Sequence, residues 1–164
     1  MKKILVFMTL FLSFALVSSA QVVVPSKDKP TELEHGVFGL GGAFGLGTGM
    51  GLSFRHHLPS VVSYQIASGI IKDKKNLIWD IGIEMQFDLM RGESTRFYAG
   101  GGAGYYYAGE NKNDLDSPGR FALGIGIESK AREALHFALC LYFTYFSDGQ
   151  ILPLPQLGVH YYFF

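Results

Sequence analysis

The longest regular stretch of the chain is Leu77 to Met90, LIWDIGIEMQFDLM. Leu77, Trp79, Ile81, Ile83, Met85, Phe87 and Leu89 fall on one parity, and Asp80, Gly82, Glu84, Gln86 and Asp88 on the other. A period of two sends successive side chains to opposite faces of an extended chain, so the stretch predicts a strand with one apolar and one polar face. Strands in soluble proteins average about five or six residues, whereas a tilted strand crossing a bilayer needs about nine to eleven. The length therefore predicts a membrane-spanning strand. The same alternation returns at Phe121, Leu123, Ile125 and Ile127 against Arg120, Ala122, Gly124, Gly126 and Glu128. It recurs at Leu135, Phe137, Leu139, Leu141, Phe143 and Tyr145 against His136, Ala138, Cys140, Tyr142 and Thr144, and at Met50, Leu52 and Phe54 against Gly49, Gly51, Ser53 and Arg55.

Turn residues divide the chain into eight strand-length segments, at about 34–46, 48–57, 60–71, 76–90, 95–108, 119–130, 134–146 and 154–164. The break near Gly47 is the weakest, and a six-stranded reading would merge segments there. Two features set the apolar parity outward rather than inward. The polar parity is crowded with Gly100, Gly102, Gly104, Ala122, Gly124 and Gly126, which suits a narrow lumen. The apolar parity carries Phe97, Tyr105, Tyr107, Phe121, Tyr145 and Tyr161 near its ends, where a membrane barrel has aromatic belts. The predicted fold is all-β, an eight-stranded antiparallel up-and-down transmembrane β-barrel over residues 34–164.

Composition narrows the partners. The chain is 48% hydrophobic and 17% charged, yet after residue 20 no apolar run approaches the length of a transmembrane helix. Residues 1–20 read as a signal peptide, with Lys2 and Lys3, an apolar core from Ile4 to Val17, and Ser18-Ser19-Ala20 before the cleavage point. Residues 21–33, with Pro25, Pro30 and several charges, read as a periplasmic lead-in. Removing Lys2 and Lys3 leaves 14 − 2 = 12 basic against 14 acidic residues, so no basic footprint for nucleic acid remains. One cysteine, Cys140, excludes a disulfide framework and reads as a small core residue.

The final residues carry a resemblance. Gln156-Leu157-Gly158-Val159-His160-Tyr161-Tyr162-Phe163-Phe164 resembles the C-terminal assembly signal of bacterial outer-membrane barrels, with alternating apolar residues and a terminal aromatic. With the signal peptide and eight segments, the chain is similar to the small outer-membrane barrels grouped around OmpA, OmpX and OmpW. The apolar alternation stops at Phe163, so either Phe164 overhangs or the last strand shifts by one. The resemblance implies a bacterial outer-membrane location, contact with outer-membrane lipid, and handling by the barrel-assembly machinery through Gln156, Gly158, Tyr161, Phe163 and Phe164. In the OmpW-like relatives it also implies a small hydrophobic solute.

With the apolar parity outward, the lumen gathers Arg55, His57, Gln65, Asp80, Glu84, Gln86, Asp88, Arg96, Arg120, Glu128, Lys130, His136, Gln156 and His160. Eight strands leave room only for side chains, so the expectation is a core of paired charges. Hairpin counting sets Asp88 diagonal to Arg96 and Glu128 opposite His136, with Asp80, Glu84 and Asp88 meeting arginines across the lumen. The glycines leave space for a small cavity along Gly100–Gly104 and Gly124–Gly126. Loops of any length are expected only at Gly109–Gly119 and Ser147–Pro155. In the latter, Ile151, Leu152 and Leu154 either guard a lateral opening or begin the last strand early. Three functions follow in order: a closed, structural or envelope-integrity barrel; a narrow channel for small or hydrophobic solutes; and a lipid-active enzyme. For catalysis, His56 and His57 fall on opposite faces, no acid stands near to orient either, and the HxS dyad of barrel lipid A deacylases is absent. Asp80, Glu84 and Asp88 stand too far apart along one strand to share an ion, and the glycine runs complete no phosphate-binding motif. No catalytic, metal or cofactor residue is expected.

Overall fold

A computed structural model describes residues 36–73 and 76–163. The predicted signal peptide, the lead-in and Phe164 lie outside the described residues. Eight strands follow one another: β1 (Val37–Phe44), β2 (Gly51–His57), β3 (Val62–Asp73), β4 (Asn76–Arg91), β5 (Thr95–Gly109), β6 (Gly119–Arg132), β7 (Leu135–Phe146) and β8 (Ile151–Phe163). Each pairs antiparallel with its neighbour, and β8 returns to β1, so the sheet closes into an up-and-down barrel. Closure leaves no full-length edge unpaired.

The ladder shows the stagger that closure requires. From Gly39 it passes through Arg55, Gln65, Glu84, Gly102, Ala122 and Thr144 to Leu152 on β8. Gly39 itself pairs with Tyr162, so one circuit is displaced by 162 − 152 = 10 residues. Such a shear tilts the strands, by about 35–45° in barrels of this kind, and lets side chains fill the interior.

The two faces are sorted as in a membrane protein. Leu52 (83% exposed), Ile70 (73%) and Leu123 (72%) point outward beside Leu40, Ile81, Ile83, Phe87, Ile125 and Phe143. Burying so much aliphatic surface in lipid rather than water is the arrangement the long alternating strands require. Aromatic residues mark both ends of this surface. Trp79 lies against Tyr105 and Tyr107 at the end bearing the β3–β4 turn, here called the distal end. Phe38 stacks on His56, and Tyr161 meets Phe163, at the opposite or terminal end.

Three boundaries differ from the sequence expectation. β6 and β7 run to Arg132 and from Leu135, so their hairpin is tighter than the expected turn at 130–134. With a register shift between Lys130 and Arg132, Lys130 rather than Glu128 lies opposite His136. β8 begins at Ile151, which shortens the expected 147–155 loop and makes Leu152 and Leu154 strand residues. β1 stops at Phe44 and β2 resumes only at Gly51, so Met50 does not join the outward face of β2. In β8 itself the alternation holds without a shift through Phe163: Gln156, Gly158, His160 and Tyr162 are buried inward, and Leu157, Tyr161 and Phe163 are exposed.

Candidate functional site: a doubly filled lumen

Toward the terminal end, β2 to β8 each send polar side chains inward because their even or odd parity faces the axis. Glu128 stands at the centre. Its carboxylate accepts hydrogen bonds from Arg55 Nη1 at 2.7 Å, Arg96 Nε at 2.8 Å and Tyr162 Oη at 2.7 Å, and lies 3.3 Å from His136 Nδ1. The Glu128–His136 contact is therefore made, but diagonally rather than between opposed residues. Arg96 also reaches Asp88 Oδ1 at 2.6 Å, Ser63 Oγ at 3.1 Å and Gln86 Oε1 at 2.5 Å. Asp88 takes a further hydrogen bond from Arg91. Arg55 donates to Gln65, and His57 Nε2 lies 2.7 Å from Tyr162 Oη. Arg55, Arg96 and Glu128 are each 1% exposed, so these ions have left water and depend on one another. Lys130, half-buried, lies at the terminal edge of the same face.

The middle of the lumen is filled by rings and by chain. Tyr98, Tyr142, Ala122 and Cys140 form a buried cluster. The glycines expected to leave a cavity make room for these residues instead. A Cβ on Gly126 would lie 2.5 Å from the Tyr98 ring, and one on Gly100 would lie 2.6 Å from Tyr142 Oη. The space is thus occupied by aromatic side chains projecting from neighbouring strands.

Above them the segment 45–50 between β1 and β2 folds into the barrel. Gly47, Thr48 and Gly49 are buried. Gly49 (φ +136°) and Gly51 (φ +124°) occupy backbone conformations open chiefly to glycine, which allow the chain to turn inward and return. Its seat is pinned at three levels. Arg120 Nη1 donates to Leu46 O at 3.3 Å. Thr48 Oγ1 donates to Glu84 Oε2 at 2.6 Å, and Thr48 N to Gln156 Oε1 at 3.0 Å. Met50 N donates to Asp80 Oδ1 at 2.9 Å. Tyr142 Oη, Gln86 Nε2 and Gln156 Nε2 complete the coordination of Glu84. Asp80 and Glu84 were expected to meet arginines across the lumen; neither forms a direct ion pair among the described residues, Arg120 acting on Asp80 only through space, and both hold the inserted segment, which occupies the space between them and the opposite wall. Gly82 and Gly102 are bare where the segment passes: a Cβ on Gly82 would lie 1.5 Å from Thr48 O.

Sequence reasoning missed Thr48, Tyr98, Tyr142 and Tyr162. All three tyrosines lie on the polar parity of their strands, which was the available signal. A serine–histidine contact also exists: Ser53 Oγ is 2.8 Å from His160 Nε2. It lies inside the lumen, with Ser53 2% and His160 0% exposed, and His160 Nδ1 has no hydrogen-bond partner to orient the ring. His56 faces outward, 3.1 Å from Tyr64 Oη, and His57 inward. No group of acidic, cysteine or histidine side chains suited to a metal occurs among the described residues.

Fold and surface together define a transmembrane-type β-barrel, polar and filled within, apolar without. No family model matches the sequence, and no curated protein matches it. Among solved structures, it is similar to the Yersinia pestis outer membrane protein Ail in phospholipid bilayer nanodiscs, with a TM-score of 0.48 and 13% identity over 78% of this chain and 98% of that one. It is also similar to the crystal structure of Ail, the attachment invasion locus protein of Yersinia pestis, with a TM-score of 0.44 and 12% identity over 78% of this chain and 97% of that one.

Proposed function

We propose that this chain is an outer-membrane β-barrel of a bacterial envelope, with a structural or envelope-integrity role and a lumen that conducts nothing. The observation that carries this reading is the double filling. The Glu128 cluster joins the seven strands β2 to β8 at one level, and the 45–50 segment occupies the next. A solute would have to part buried ion pairs, at a cost of about 3–5 kcal/mol for each ion left unpaired, and also displace the inserted segment. The apolar belt supplies contact with outer-membrane lipid. The Gln156, Gly158, Tyr161, Phe163 and Phe164 pattern supplies recognition by the barrel-assembly machinery.

The channel for small or hydrophobic solutes ranks second, since it requires both fillings to move. A lipid-active enzyme ranks third: the Ser53–His160 contact is enclosed and lacks a third group on the imidazole. The deciding experiment is ion conductance and solute flux for the refolded barrel in lipid bilayers, counted only where an unboiled gel shows the folded form. The closed reading expects flux no greater than from empty vesicles. Discrete conductance steps would replace it with the channel.

A further inference from the structure

The wall is not equally tall all round. β1 ends at Phe44, level with Leu157 of β8, and β2 first pairs with β3 at Leu52, opposite Ser68. Gly45 lies against Pro155 and Gln156, and Met50 against Gly69; beyond them Ile151–Leu154 of β8 and Ile70–Asp73 of β3 face each other across a slot with no strand between them. Its sides belong to the same apolar outer surface as the rest of the barrel: Ile70 on β3 and Ile151 on β8 are both exposed there. The slot therefore opens sideways, toward lipid.

Two prolines keep it from being filled by pairing. Tyr162 N donates to Ala134 O just before β7, so even-numbered residues of β8 point their N–H groups at β7 and odd-numbered ones at β1. Beyond the end of β1, Pro155 and Pro153 occupy odd positions and have no N–H to offer another strand.

Inside the slot the inward parity changes character. Over the rest of the lumen it is polar, small or tyrosine, with no large aliphatic side chain beyond Val37 among the described residues; here it is Ile71 (58% exposed), Ile78 (42%), Leu152 (43%) and the half-buried Leu154, with Asp73 and Asn76 at the rim. At its foot lies Arg120, only 8% exposed, stacked over Tyr106 at 3.7 Å and Phe146 at 4.9 Å. Its guanidinium donates to Leu46 O, its Nε has no partner, and it forms no ion pair among the described residues. Asp80, the acid of β4 at this end, is held by Met50 N–H. A buried cation whose electrostatic partner Asp80 makes no direct ion pair with it, and whose Nε is free, favours an anion, and uncovered aliphatic walls favour a chain.

We propose that the slot is a binding site for a single-chain anionic lipid drawn from the surrounding leaflet, a long-chain carboxylate whose head group meets Arg120 and whose chain lies against Ile71, Ile78, Leu152 and Leu154. The site lies on the distal side of the inserted 45–50 segment and requires no passage through the barrel, so it stands apart from the closed-lumen reading.

The test is photolabelling of the whole protein, folded in zwitterionic lipid nanodiscs, with palmitic acid bearing a diazirine. The matched diazirine alcohol is the control, and adducts are mapped by mass spectrometry. The expected result is saturable labelling within 69–73 and 151–155. Apparent affinity falls about tenfold for the alcohol and for Arg120→Gln, the size of one charge-assisted hydrogen bond. Leu152→Glu sets a negative charge on an exposed wall position, should fold as the parent does, and should give the same loss; it decides the matter if Arg120→Gln does not fold. Labelling that fails to saturate, that is equal for acid and alcohol, or that is unchanged in Leu152→Glu overturns the proposal.

Discussion

Toward the terminal end the lumen is filled by the wall's own side chains; in the distal half a connection between two strands is drawn inside. The first filling is ionic and shared among seven strands, with Arg55 and Arg96 both bound to Glu128. The second rests on hydrogen bonds from backbone and hydroxyl donors to Glu84, Gln156 and Asp80, and its covalent ties run only to β1 and β2. Removing one partner from a buried ionic cluster strands charge in low dielectric, whereas a segment held by a few hydrogen bonds can leave into water with its polar groups rehydrated. The comparison teaches that one barrel holds a fixed closure and a displaceable one in series.

Four substitutions break or sharpen that contrast. The largest effect is expected of Glu128→Ala, which leaves Arg55 and Arg96 buried without their shared carboxylate. Urea unfolding in vesicles should show a loss of about 3–5 kcal/mol. Gly82→Ala comes next. Its Cβ would meet the Thr48 carbonyl, which the segment cannot yield without leaving its seat, so limited proteolysis should cut within 45–50 in a barrel that is otherwise folded. The associated destabilisation is about 1–3 kcal/mol. Thr48→Val keeps the shape and removes the hydroxyl from Glu84 and Gln156; the same unfolding experiment should register about 1–3 kcal/mol, with partial cleavage of the segment. Ser53→Ala, which removes one neutral contact to His160, should cost about 0.5–1.5 kcal/mol and leave the segment uncut. If Glu128→Ala proved milder than Thr48→Val, the assignment of fixed and displaceable closures would be reversed.

The strands were legible because a membrane barrel writes its two faces as a strict period of two, and Leu77 to Met90 carries it almost unbroken. The inward placement of Arg55, Arg96 and Glu128 follows from that parity alone. The inserted segment was not legible, because Leu46, Thr48 and Met50 alternate with glycines just as a strand would. Its only sequence trace is indirect: Gly82, Gly102 and Gly104 bare one patch of wall, and Pro153 and Pro155 deny β8 a neighbour. The Glu128–His136 pairing failed in register because the β6–β7 turn closes over 133–134 and a bulge shifts the ladder, and neither feature has a distinct residue signature.

The chain contains its own reporter of the closure. Cys140, its single cysteine, sits between the two fillings, 4% exposed and in contact with Tyr98 Oη. The most direct measurement is the rate at which a small charged methanethiosulfonate reagent modifies Cys140 in the folded, membrane-inserted protein, against the boiled protein. A lumen closed from both ends predicts negligible modification until the barrel is unfolded. Rapid modification of the folded barrel would show a water path to its middle and contradict the closed lumen.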